Sequence, residues 1–230
     1  MWCGVASEQV RVIPAGVDLP ANVLDPEERQ REREQLVGAG SEMVLALGAI
    51  QTRKNTLNAV RAVANLPLNY KLVLAGGNGY GSEAVHEFIR SANLESRVTV
   101  LGYVDSKRLP VLYEAACLLL FPSLEEGFGL PVLEAMAHGL PVVASCTSSL
   151  PEVGGDAALY VDPRDPGDIA KKIRRGIEDA DLRARLIERG LARARAFTWR
   201  RAAEETLKVY SEVLEKQVSL PAIRRVSNCA

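Results

Sequence analysis

The stretch CLLLFPSLEEGFGLPVLEAMAHG, residues 117–139, decides the fold. Its first five residues are a continuous apolar run of strand length, the pattern of a strand buried on both faces. A glycine-punctuated loop follows. Pro131 then stands where a helix starts well, because its ring fixes φ and its missing N–H would have had no intrahelical partner. A helix over 131–139 is expected, with another apolar strand over 141–144.

The same alternation extends in both directions. Residues 43–47 read as a strand, and Leu57, Val60, Val63 and Ala64 then recur at helical spacing. Strands at 71–75, 97–101 and 157–161 and helices at 82–92 and 106–116 continue the series. Short apolar strands alternating with helices indicate a parallel sheet covered on both faces, so the fold class is α/β, a doubly wound, Rossmann-like parallel sheet. A helical C-terminal extension follows. Ile169, Ile173 and Ile177 share one helical face, and Leu182, Leu186 and Ile187 open the next segment. A last helix carries Trp199, Ala203, Leu207, Tyr210 and Leu214 as an apolar stripe that needs a cover.

The N-terminal part is less regular. The alternating run at 10–13 ends at Pro14 and reads as a strand closing something upstream. EERQREREQ, residues 27–35, mixes charges of both signs and reads as a solvated helix or a mobile connector. The resulting division is 1–37 as a remnant and linker, 38–198 as the Rossmann-like domain, 199–216 as a crossing helix and 217–230 as a loose tail.

Composition excludes several classes. Lys+Arg 28 against Asp+Glu 29 gives a formal net charge of -1, which gives no support to bulk electrostatic nucleic-acid binding. No apolar run approaches a membrane span, and the first ten residues lack the basic and apolar regions of a signal peptide. A cytoplasmic protein is expected, touching the inner membrane face peripherally at most. Cys3, Cys117, Cys146 and Cys229 have no zinc-like spacing, and Cys117 reads as a small core residue. His86 and His138 read as surface or helix-end residues. No metal is assigned, and the Asp-x-Asp at 179–181 reads as a junction cap.

Chemistry belongs in the loops at the carboxyl ends of the strands. In the central loop, Glu126 and Glu134 flank a turn of Gly127, Phe128, Gly129 and Leu130. Helix-start amides there offer a site for an anion such as a phosphate, and glycine allows close approach of main chain. Glu134, one turn into the helix, can accept two hydroxyls side by side, which suits a ribose, while Glu126 can serve a sugar on the other side of the phosphates. Both are equally compatible with simple dipole partners at a helix start. After the first strand, GAIQTRKN places Arg53 and Lys54 where two cations can neutralise a diphosphate. After the second, AGGNGYG gives no dinucleotide fingerprint in register but a turn in which Gly76 brings main chain close to a ligand. After the third, GYVDS leaves Val104 to meet a base edge, with Asp105 or Ser106 as helix cap. The absence of G-x-x-x-x-G-K-[ST] argues against a nucleoside triphosphatase.

These residues resemble the retaining glycosyltransferases of family 4, group 1, which have the two-domain GT-B architecture. EGFGLPVLEAMAHGLPVVAS, residues 126–145, looks like the family's Glu-x7-Glu region. VIPAGVD, TRKN, LGYVDSKRLPVLYEAA and SSLPEVGGDAALYVDP support it, and the match runs through most of 41–199. Ala15 departs from the family's usual Asn, and Gly77 and Asn78 depart from its usual Gly-Asp-Gly turn. The resemblance implies the C-terminal, nucleotide-sugar-binding half of such an enzyme, transferring a hexose from a UDP- or GDP-linked donor to an acceptor hydroxyl with retention. It implies no cofactor and no essential metal. Arg53 and Lys54 would contact the diphosphate, Glu126 the transferred sugar, Glu134 the ribose, the amides from Phe128 to Leu130 the phosphates, and Val104 the base. The implied partners are an acceptor glycan, lipid or small molecule and an N-terminal GT-B half in the same or a separate chain. A stand-alone nucleotide-sugar-binding module remains the alternative, followed by a nucleotide-sugar epimerase, for which no acid and base groups stand out.

Overall fold

The structure, a computed structural model, describes residues 6–218, with side chains through residue 215. Residues 219–230 of the expected tail, and with them Cys229, lie outside the described residues, as does Cys3. The chain divides into two compact units, Val17–Ala196 and a pair of terminal segments, 6–16 with 197–218.

The larger unit is built on six parallel strands: β1 Glu42–Leu47, β2 Tyr70–Ala75, β3 Val98–Gly102, β4 Leu118–Phe121, β5 Val142–Ser145 and β6 Ala158–Val161. Their order is β3-β2-β1-β4-β5-β6. α1 Pro26–Val37 precedes β1, and between the strands run α2 Thr56–Ala64, α3 Ser82–Ser91, α4 Leu109–Ala115, α5 Leu130–Ala137 and α6 Leu150–Gly154, with α7 Pro166–Glu178 and α8 Ala180–Ala196 after the last strand. β1 pairs with β2 along its full length and with β4 through Val44↔Leu118 and Leu45↔Leu119. The chain therefore winds outward from β1 to β3 and returns to the far side of β1 for β4. That reversal opens a crevice at the carboxyl ends of β1 and β4, where ligands bind in sheets of this kind.

The strands form because they are buried on both faces. Met43, Val44 and Leu45 of β1 and Leu118, Leu119 and Leu120 of β4 are fully buried. Each such side chain stabilises the unit by about 1.5–3 kcal/mol relative to exposure. Ile169, Ile173 and Ile177 of α7 are buried in the same core. Cys117 is a core residue as well, and burial pushes its thiol up to about 12.

Several boundaries differ from the expectation, each for a local reason. α5 starts at Leu130 and places Pro131 second; it ends at Ala137, before Gly139, which is left-handed at φ 66. α4 starts at Leu109 rather than at residue 106. The Asp105 side chain accepts from the Lys107 amide at 2.8 Å and so caps a separate turn ahead of the helix. The charged run at 27–35 is helical within α1, closed by a capping box in which Asp25 and Glu28 satisfy each other's amides. It carries no buried residue, but Arg33 donates to the Ala115 carbonyl at 2.7 Å, so α1 packs on the end of α4.

In the smaller unit the expected strand at 10–13 is not part of a sheet. A 3-10 turn at Ser7–Gln9 precedes it, and Val12 is 81% exposed, because alternation makes a strand only where a neighbouring strand completes the ladder. On the last helix, α9 Trp199–Val218, the expected stripe of Trp199, Ala203, Leu207, Tyr210 and Leu214 is exposed, as is Val213 beside it. Arg11 pairs with Glu212 at 3.3 Å, and a Cβ on Gly16 would run into the main chain of Trp199. Among the described residues no helix is long and apolar enough to cross a membrane.

Candidate functional site

The site is assembled at the switch point by the loops that leave β1 and β4. Lys54 Nζ donates to Glu126 Oε1 at 2.7 Å, and Arg53 Nη1 lies 3.2 Å from Glu126 Oε2. Three of the residues expected to do chemistry are thus brought together, although Glu126 is more than seventy positions from the two cations in the chain. Lys54 is not a solvated cation at a helix start: its side chain is 15% exposed, that of Glu126 10% and that of Arg53 45%. Lys54 Nζ also sits 4.7 Å over the centre of the Phe121 ring. Gly48 makes room for it, since a Cβ there would come within 2.9 Å of Lys54 Cε.

Burial opposes the charge on Glu126, yet the hydrogen bond from Lys54 and the neighbouring Arg53 outweigh it and hold the carboxyl below its ordinary pKa. Glu126 is therefore ionised at neutral pH and neutralised by two cations. The Arg53 guanidinium also donates to the Glu125 carbonyl at 2.6 Å, and the Leu124 amide donates back to the Arg53 carbonyl at 2.9 Å. The two loops are stitched together in both directions.

The loop that carries Glu126 has no regular structure, and its carbonyls are held by side chains. Asn55 Nδ2 donates to the Pro122 carbonyl at 3.0 Å. Ser145 Oγ donates to Ser123 at 2.6 Å and Thr147 Oγ1 to Leu124 at 3.1 Å. Ser148 Oγ donates to the Glu126 carbonyl at 2.6 Å and accepts from the Glu126 amide at 3.1 Å. Ser149 Oγ reaches the carbonyls of Glu126 at 3.0 Å and Phe128 at 2.7 Å. None of these partners was singled out in the sequence. The available signals were an Asn directly before α2, a residue that tolerates the left-handed conformation found there at φ 57, and the hydroxyl run at the end of β5.

Gly127, Phe128, Gly129 and Leu130 lead into α5. Gly129 takes φ 113 as the helix N-cap, and a Cβ on it would press on Leu150 at 2.7 Å, so glycine is required twice over. Pro131 has no N–H and the Val132 amide donates to the Gly129 carbonyl at 3.0 Å, so Leu130 supplies the first amide at the positive end of α5.

Glu134 stands one turn into α5 in a different environment. Tyr113 donates to Glu134 Oε2 at 2.6 Å. Burial, and then the adjacent carboxylate, push the Tyr113 phenol far above its usual pKa, so it remains a donor. The Tyr113 ring stacks on His138 at 5.4 Å between centroids. His138 Nδ1 lies 3.0 Å from Glu114 Oε1, and Glu114 Oε2 accepts from the Leu24 amide at 2.6 Å. His138 is at the helix end as expected, but its side chain is buried rather than on the surface.

The loops after β2 and β3 continue the same edge. The Gly76 amide donates to the Gly102 carbonyl at 2.8 Å, and a Cβ on Gly76 would collide with the Gly48 carbonyl. Ile50 donates to the Gly77 carbonyl and accepts from the Gly79 amide, at 2.9 Å each, so the first two loops are joined through their main chains. Val104 lies two residues past the end of β3 and is half-buried.

An open parallel sheet with paired cations, an acidic loop and a glycine-capped helix start at its switch point has the Rossmann-like fold of the C-terminal half of a GT-B glycosyltransferase. The family described as Glycosyl transferases group 1 matches residues 28–193, and the chain belongs to it. O-antigen chain mannosyltransferase B of Escherichia coli is 39% identical over 170 residues, covering 72% of this chain and 45% of that protein. Sucrose-phosphate synthase of Thermosynechococcus elongatus superposes with a TM-score of 0.78 at 30% identity, over 90% of this chain and 53% of that one. The Anabaena protein HepE, solved with UDP and glucose, superposes with a TM-score of 0.83 at 25% identity, over 91% and 59%. This chain spans about half the length of each of these proteins.

Proposed function

We propose that the chain is the donor-binding half of a retaining, family 4 glycosyltransferase that moves a hexose from a nucleoside diphosphate sugar to an acceptor hydroxyl. The observation that carries this reading is the convergence of Arg53 and Lys54 on Glu126 at the switch point, beside the N-terminus of α5. The mannosyltransferase named above and the UDP and glucose bound by HepE support a nucleotide-linked hexose as donor.

Arg53, Lys54 and the amides from Phe128 to Leu130 hold the diphosphate, where preorganised positive charge stabilises the leaving group as the bond from the sugar to the phosphate oxygen breaks. The acceptor oxygen bonds to the same sugar carbon on the same face, and its proton passes to the departing phosphate oxygen. Retention follows from attack on that face. Glu126 turns to hydroxyls of the transferred sugar once the diphosphate has taken over its cations, and Glu134 accepts from the ribose. Gly76 and Val104 give main chain to the nucleoside, and the reaction needs no essential metal. An N-terminal GT-B half, in this or another chain, brings the acceptor glycan, lipid or small molecule and closes the cleft. The setting is the cytoplasm, with peripheral contact at the inner membrane face.

The test is calorimetry of this chain with UDP- and GDP-linked hexoses, followed by transfer and donor-hydrolysis assays with an N-terminal half added. The reading expects binding by the chain alone and turnover with both halves. Binding without turnover in either setting would point to the stand-alone binding module instead. No binding to any nucleotide sugar would contradict both.

A further inference from the structure

The geometry points to Ser148 and Ser149 as positioning residues that aim the Glu126 loop at its ligand. This inference rests on the donor-site reading given above.

Ser148 closes on a single residue. Its hydroxyl both donates to the Glu126 carbonyl and accepts from the Glu126 amide, as a neighbouring strand would. To do so Ser148 adopts φ 59, in the left-handed region that L side chains rarely enter. A hydroxyl has one proton to give. With the Glu126 carbonyl already served by Ser148, the proton of Ser149 goes to the Phe128 carbonyl, the shorter of its two contacts.

The direction of these bonds has a consequence for the amides. A trans peptide is planar, with its C=O and the following N–H pointing opposite ways. Drawing the Glu126 carbonyl toward Ser148 turns the Gly127 N–H away from the β5–α6 loop, and drawing the Phe128 carbonyl toward Ser149 does the same for the Gly129 N–H. Two donors are thereby set on the side of the loop opposite the serines, at the positive end of α5, where the diphosphate is read to sit. Thr147, fixing Leu124, extends the same array to the start of the loop. Because Ser148 holds main chain rather than the carboxylate, the Glu126 backbone keeps its place while the carboxylate turns from its cations to the ligand.

The test compares Ser149→Ala, Ser149→Thr, Ser148→Ala and Ser148→Gly with the wild-type chain. Affinity for UDP and GDP is read by calorimetry, and for uridine and guanosine by NMR titration. Ser149→Ala is expected to weaken diphosphate binding about five- to tenfold, the effect of one hydrogen bond, while nucleoside binding changes less than about twofold. Ser149→Thr restores it. Ser148→Gly relieves the left-handed strain but removes the hydroxyl, so it is expected to weaken diphosphate binding as Ser148→Ala does. Wild-type affinity in Ser148→Gly would overturn the inference, since it would show that only backbone conformation matters there. Equal losses for diphosphate and nucleoside would overturn it too, as the sign of a general structural defect. A wild-type chain that binds neither UDP nor GDP would overturn the donor-site reading, and this inference with it.

Discussion

Glu126 and Glu134 lie eight positions apart on one loop and helix, and the protein treats them in opposite ways. Glu126 sits on irregular chain, salt-bridged to two cations and held through its main chain by hydroxyls from another loop. Glu134 sits on a regular helix and accepts a neutral phenol, backed by a stacked and buried His138–Glu114 pair. The first carboxylate is charge-balanced before any ligand arrives. The second spends one oxygen on Tyr113 among the described residues and keeps acceptor capacity for a neutral diol. A carboxylate beside cations can hand them to a phosphate; a carboxylate beside a phenol has no cation to hand over and serves as a hydrogen-bond acceptor.

Breaking the cationic side has the largest expected effect. Lys54→Ala removes a largely buried partner of Glu126, and diphosphate binding is expected to weaken by about 2–3 kcal/mol, measured by calorimetry with UDP and GDP. Unchanged affinity would place the phosphates elsewhere. Glu134→Gln is expected to cost about 1–2 kcal/mol, and the loss should be largest for ligands that carry both ribose hydroxyls. A 2′-deoxy nucleotide, which keeps only the 3′-hydroxyl, should therefore lose less affinity in the mutant than the ribonucleotide does. Tyr113→Phe frees the second oxygen of Glu134 and removes its orientation, with about 1 kcal/mol expected in nucleotide affinity and no effect on the Glu126 ion pairs.

The smallest effect is on pH dependence. The folded pKa of Glu126 is depressed, so its pairing with Lys54 and Arg53 contributes fully above the ordinary carboxylate pKa and is lost as pH falls through the lowered folded value. An NMR titration of the carboxyl groups should give Glu126 a midpoint below that of an unpaired glutamate, rising in Lys54→Ala. A midpoint at or above the ordinary value would remove the charge-balanced side of the comparison.

The fold was legible because parallel strands are buried on both faces, so that LLLF at β4 and MVLAL within β1 read as unbroken apolar runs. The alternation at 10–13 forms no strand among the described residues for the complementary reason: its pattern carries no information about whether a partner strand is at hand. Arg53, Lys54 and Glu126 stood out in the sequence as charged residues in loops at the carboxyl ends of strands, and the structure brings the three together. Ser148, Ser149 and Asn55 did not stand out, because their acceptors are main-chain carbonyls, which every residue has. The burial of Glu114 and His138 was hidden as well. Each is polar on its own helix, and only the packing of α4 against α5 and the chain entering α1 encloses them. The stripe on α9 was read correctly from spacing alone, since helical periodicity needs no knowledge of what covers it.

The account turns on the claim that Glu126 holds, in the free protein, the cations that a diphosphate will take. Calorimetry of Glu126→Gln with UDP and GDP tests it directly. Removing the competing charge while keeping the shape should leave diphosphate affinity unchanged or raise it by about three- to tenfold, even as sugar transfer is lost. Weaker binding of the bare diphosphate would mean that Glu126 supports that site rather than occupying it, and would contradict the account.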